Sequence, residues 1–125
     1  LLSDAGTLYV VGLYEAGQGL GPVASWNGTA WTRYPVLKNA VTGAAVFQGS
    51  LYVCGFFGPG ADDNAPSKIA KWDAGAWTST NWEGVEVLSL ATHNGALYAG
   101  TESASGNLLW QYDGTQWTAI PSTLS

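Results

Sequence analysis

One block of sequence occurs three times in this chain of 125 residues. It reads Gly-x-Leu-Tyr-Val/Ala with a glycine closing the run, then a variable stretch, then an aromatic residue, a short turn and a Trp. The copies run from Leu8-Tyr9-Val10 to Trp31, from Leu51-Tyr52-Val53 to Trp77, and from Leu97-Tyr98-Ala99 to Trp117. Leu8, Leu51 and Leu97 are 43 and 46 residues apart. A period in this range belongs to stacked or radial repeats, in which one unit cannot bury its hydrophobic face alone.

Each copy divides into four short strand-like runs separated by turn residues. In the third copy the runs are 85–92, 96–100, 107–112 and 115–120; in the second they are 41–47, 51–56, 68–72 and 77–80. His93-Asn94-Gly95, Asn27-Gly28 and Asp113-Gly114 mark hairpin turns, and Ala74-Gly75 is a looser variant. Asn-Gly and Asp-Gly between such runs predict two-residue type I′ turns, which need φ > 0 twice. With 17 Gly, 7 Trp, no Met and no capped helical periodicity, the chain reads as all-β. Four antiparallel strands repeated every ~40–50 residues describe a β-propeller blade. The expected organisation is one partial propeller over 1–125, with blades at 1–34 (first strand truncated), 35–82 and 83–125. Alignment of the copies makes Val23, Ile69 and Leu109 equivalent. It also groups Gly12, Gly55 and Gly100, where close backbone approach would exclude a side chain. Trp31, Trp77 and Trp117 form a third set and are expected to pack between neighbouring blades, so that Trp31→Ala costs ~3–5 kcal/mol.

The Leu-Tyr-Val-x-Gly strand followed by x-Trp-Asp/Asn-Gly-x-x-Trp resembles the kelch and galactose-oxidase-like propeller repeats, above all bacterial cell-surface versions. There are departures. The kelch glycine doublet is reduced to one Gly, preceded by Val11, Cys54 or Ala99, and the aromatic-to-Trp spacing is shorter than in typical kelch repeats. Ser25-Trp26-Asn27-Gly28-Thr29-Ala30-Trp31 also resembles the Asp-box turns of sialidase-like propellers, one residue short. Both resemblances imply a propeller fold and say little about function.

Charge narrows the partners. The net charge is −5, with Arg33, Lys38, Lys68 and Lys71 the only Lys and Arg side chains. That is no footprint for nucleic acid or for an anionic membrane surface. No apolar run approaches the ~20 residues of a spanning helix. Cys54, the sole cysteine, follows Tyr52-Val53 in an apolar strand and reads as a small buried hydrophobe.

Function is expected where the repeat breaks down. Strand parity puts the connections 14–22, 57–67, 101–106, 33–40 and 79–84 on one face, and they differ in length and content. Candidate ligand-binding residues there are Trp82, Tyr14, Arg33, Asp62, Asp63 and Glu102. Trp82 has no aromatic counterpart one repeat earlier; it is either a stacking platform for a sugar ring or peptide, or a cap on a blade interface. Asp62-Asp63-Asn64 resembles a fragment of a Ca²⁺ site but completes no motif, so no cofactor or metal is expected. Asn27-Gly28-Thr29 is a formal glycosylation sequon, fully explained by a hairpin turn. Catalysis has little support: His93 stands alone beside a turn, and no nucleophile–His–acid set accompanies it. A sialidase would need several arginines and a galactose-oxidase copper site more than one His. Asp62, Glu83 and Glu102 as paired carboxylates have no spacing to recommend them.

Three blades do not close a ring, since closed propellers have typically four to eight. The expected partners are further blades, either a second copy of the chain in a six-bladed homodimer or the rest of a longer chain. Spacing favours the latter for a covalent join: Trp31 to Gly49 and Trp77 to Gly95 each span 18 residues, whereas a self-join would be four short. The leading functional expectation is a non-catalytic binding or scaffold module, extracellular or at the cell surface, that recognises carbohydrate or protein through one loop face. Alternatives are a segment of a larger propeller enzyme, glycoside-active or oxidase-like, whose catalytic residues lie elsewhere, and a structural subunit of a surface assembly.

Overall fold

The computed structural model of the chain describes residues 2–12, 23–34, 41–55, 68–73, 75–80, 82, 87–101 and 109–120. Those residues form three antiparallel sheets of four strands each. The first blade holds β1 (Leu2–Asp4), β2 (Thr7–Val11), β3 (Val23–Trp26) and β4 (Trp31–Arg33). The second holds β5 (Val41–Phe47), β6 (Ser50–Gly55), β7 (Ile69–Asp73) and β8 (Ala76–Ser79). The third holds β9 (Val87–His93), β10 (Ala96–Thr101), β11 (Leu109–Tyr112) and β12 (Trp117–Ile120). In every blade the strands pair in chain order, so each sheet is an up-and-down meander. The chain is thus all-β, with three propeller blades.

Two turn types alternate, and they differ from the expected assignment. The first hairpin of each blade turns on Ala5-Gly6, Gln48-Gly49 or Asn94-Gly95, and both residues of each pair have positive φ, from 48° to 85°. These are the two-residue primed turns. Asn27-Gly28 and Asp113-Gly114 are built otherwise. Only the glycines there have positive φ, 103° and 108°. Trp26 pairs with Trp31 and Tyr112 with Trp117, which leaves four residues in each loop. The first loop residue supplies the closure. Asn27 Oδ1 accepts from the backbone N–H of Thr29 and Ala30 at 2.9 Å and from the Thr29 hydroxyl at 3.0 Å. Asp113 Oδ1 does the same with Thr115 and Gln116, at 2.8–2.9 Å. A side chain that folds back on its own backbone replaces the second positive φ.

The register also corrects the glycine alignment. Cys54 lies opposite Gly43 and Ile69, and Gly100 lies opposite Ser89 and Leu109. Gly100 therefore occupies the position of Cys54 and Val11, while Thr101, opposite Val87, takes the place of Gly55, opposite Val41. A Cβ at Gly12 would meet nothing within 4 Å, so close approach does not explain that glycine. Close approach does hold at Gly100, where a Cβ would come within 2.6 Å of Ser89 Oγ, and the glycine tight against neighbouring backbone is Gly43, where a Cβ would come within 3.0 Å of Cys54 Sγ, 3.1 Å of Leu90 N and 3.3 Å of Ser89 Cα. It lets β5 approach the inner strand of the third blade.

The core lies between blades rather than within them. One apolar cluster joins Val23, Tyr9 and Tyr34 of the first blade to Val41, Leu51, Val53, Ala70, Trp72 and Trp77 of the second. A second joins Phe47, Tyr52, Cys54 and Ile69 to Val87, Leu90, Leu97, Ala99, Tyr112 and Trp117 of the third. Each blade thus covers its predecessor. Trp77 reaches back to Tyr34, with ring centroids 5.8 Å apart, and Trp117 reaches back so that its Nε1–H donates to the Thr80 carbonyl at 3.0 Å. Tyr34 and Thr80 hold the same place, one residue beyond β4 and β8 and opposite Val23 and Ile69. Trp31 belongs to the same set but is 57% exposed, which overturns the expectation that all three rings are buried. The reason is directional: this Trp faces the preceding blade, and among the described residues no blade stands before β1–β4. Trp31 instead packs against Trp26, 5.3 Å away.

Trp77→Ala is therefore expected to cost ~3–5 kcal/mol in equilibrium denaturation, whereas Trp31→Ala in dilute solution stays within about 0.5 kcal/mol of the parent. Gly43→Ala, which forces a methyl group against the β9 backbone and the Cys54 sulfur, is expected to cost about 1–3 kcal/mol; a neutral result would show that β5 and β9 can separate without penalty.

Candidate functional site

The meander sets two edges. At one lie the primed turns and the Asx-closed loops. At the other the chain leaves β2 and enters β3, and leaves β4 and enters β5, with the same parity in each blade. The backbone is held together at this second edge: Val41 N–H donates to the Gly12 carbonyl at 2.9 Å and Tyr34 N–H to the Val23 carbonyl at 3.4 Å. The variable connections leave from here.

The candidate residues separate as follows. Arg33 ends β4 at this edge with its side chain exposed. Trp82 is 5% exposed and is not a platform on the surface. It stands edge-on to Trp110 and Trp117, with ring centroids 5.2 Å away in both cases, and so seals the junction between the second and third blades. Apolar area explains this placement: a ring this large beside Trp117 gains more from leaving water than a lone platform would. Tyr14, Asp62, Asp63 and Glu102 lie outside the described residues, as do Asn64 and Glu83. Among the described residues no group of three or more His, Cys, Asp or Glu is placed to hold a metal ion. His93 is exposed, its Nε2 3.2 Å from Asn94 Nδ2 at the primed turn, and its ring lies 6.1 Å from that of Tyr98.

The titratable groups with shifted equilibria are structural. Burial pushes the Cys54 thiol up to about 11, although the Thr42 hydroxyl and the Gly43 N–H pull the other way. Burial, then the neighbouring Tyr112 and Asp73, pushes Tyr52 up to about 12. The Gln116 and Thr115 N–H groups and the Thr115 hydroxyl lower Asp113, which keeps the Asx closure charged. None of these groups forms a nucleophile–base pair with another.

One surface was not singled out from the sequence. The outer face of the third blade carries an open hollow of about 420 Å³ lined by Ala91, His93, Tyr98, Leu109 and Ile120. Strand register makes these residues the counterparts of Ala45, Phe47, Tyr52, Ile69 and Thr80. In the second blade those five are at most 4% exposed, covered by the third. Leu109 is 38% exposed, as is usual for a face left without a neighbour. The two-residue alternation along β9 to β12 was the available signal, but it looks the same in a covered blade and an uncovered one.

Because the native state holds the Cys54 and Tyr52 protons more tightly than unfolded chains do (about 8.5 and 10), stability is expected to be full below pH ~8.5 and to fall as pH rises towards about 11 and 12. Urea midpoints measured across this range check it, and Cys54→Ala should flatten the first part of the decline. Alkylation of Cys54 at pH 8 should proceed no faster than unfolding. In comparisons with known proteins, no family model and no curated protein matches this chain.

Proposed function

We propose that this chain is a non-catalytic recognition and scaffold module of an extracellular or cell-surface protein, which binds an acidic carbohydrate or a protein segment through its loop edge. The observation that carries this reading is a division of labour along the repeat. The residues shared by the copies are consumed in packing one blade on the next, as Tyr34 on Trp77 and Thr80 on Trp117. The connections 13–22, 35–40, 56–67, 81–86 and 102–108 all leave from the opposite edge to the turns; those within a blade differ in length, and the two between blades, equal in length, differ in composition. Variable loops on a repeated scaffold are the usual seat of binding. Arg33, exposed at that edge, offers a fork of donors suited to a carboxylate. With Trp82 withdrawn into the blade junction, aromatic stacking in this reading falls to Tyr14.

A glycan array and a peptide panel probed with the intact chain test the proposal. Binding to acidic glycans or peptides is expected, and Arg33→Ala should weaken it roughly tenfold, the loss of one charge-assisted hydrogen bond. Absence of binding on both panels, or full affinity in the Arg33 variant, overturns it. Trp82→Ala serves as the stability control: it should lower the unfolding midpoint without any selective loss of binding in the folded fraction.

A further inference from the structure

We infer that the outer face of the third blade is a docking surface for the first blade of a second copy of this chain. The interfaces inside the molecule carry it, independently of the proposed ligand. Two junctions are seen, first blade to second and second to third, and they use the same register positions. On the covered side stand a Tyr in the second strand (Tyr9, Tyr52), a branched aliphatic residue opening the third (Val23, Ile69) and a residue just beyond the fourth (Tyr34, Thr80). On the covering side stand Leu51 or Leu97, Val53 or Ala99, Trp72 or Tyr112, and Trp77 or Trp117.

Both halves of this junction recur, uncovered by any other described residues, on the outer faces of the first and third blades. Tyr98, Leu109 and Ile120 repeat the covered set around the open hollow. Leu8, Val10, Trp26 and Trp31 repeat the covering set on the first blade, with Trp31 57% exposed. The two faces therefore carry the two halves of one junction in the same register. Isolated, they leave large apolar area in water. The shared register places Trp31 of the second copy against Ile120, as Trp77 meets Tyr34 and Trp117 meets Thr80, with its indole N–H directed at the Ile120 carbonyl. The contact is heterologous, blade three to blade one. Two such contacts about a two-fold axis close six blades, within the range of closed propellers. No covalent join is required, so the four-residue shortfall of a self-join does not stand against it.

Sedimentation equilibrium of the intact chain is the test. The expected mass is twice that of the 13.0 kDa chain. Leu109→Asp and Trp31→Glu, both at exposed positions, should each raise the dissociation constant at least about 100-fold while leaving near-UV circular dichroism unchanged. Mixing these two variants should restore part of the dimer, because one of its two junctions is then intact on both sides. Should either charged variant fail to fold, Trp31→Ala and Ile120→Ala replace them: combined, they should weaken association no more than the stronger one alone. A monodisperse monomer, a dimer indifferent to Leu109→Asp, no recovery on mixing, open-ended oligomers, or additive effects of Trp31→Ala and Ile120→Ala would each overturn the inference.

Discussion

The structure depends on one recurring contact: the Trp ring in the first two residues of a blade's fourth strand, laid against the residue just beyond the fourth strand of the blade before it. A single four-stranded sheet has two faces and no way to bury either. Trp77 on Tyr34 and Trp117 on Thr80 supply the cover from one direction. The inner strands close the gap at the other end, where Gly43 lies within contact of Ser89 and Leu90. The buried residues between these points, from Val23 and Val53 to Ile69, Val87 and Leu97, are the ones almost wholly withdrawn from solvent. Aromatic packing then adds a second layer, with Tyr52 edge to face with both Phe47 and Tyr112 at the second junction.

Strand content and order were legible because they are local. A run such as Val41–Phe47 carries its alternation and its flanking turn residues within a few positions, and the strand forms where expected. Turn chemistry was legible only in part. Asn27-Gly28 and Asn94-Gly95 are the same dipeptide, yet one closes through its side chain and the other through two positive φ angles. What separates them is the pairing of Trp26 with Trp31, which fixes a four-residue loop and becomes visible only with the register. The misplacement of Gly100 by one position has a different origin: Gly12 and Gly55 stand four residues after Leu8 and Leu51, whereas Gly100 stands three after Leu97, an offset already present in the sequence.

The candidate surface was legible to a lesser degree, for a reason of scale. Whether Trp31, Trp82 or Leu109 is covered depends on what stands beside the blade, not on the residues around it in sequence. Trp82 was open to two readings, platform or cap, and the rings of Trp110 and Trp117 make it a cap. Leu109 and Ile69 occupy one register position, one open and one buried. An amphipathic pattern records that a face is apolar and leaves the neighbour unspecified.

The one-way cover of each blade by the next gives the array a direction, like an arrow with a distinct head and tail. Growth by whole blades preserves that arrow, since each addition presents the same tail it has just covered. Energetically the series is uneven. Every blade added to an open row brings one junction and must also order its own strands. The contact that finally brings head to tail adds a junction with no further strand to order, so a closed ring is stabilised over the open row in a single step.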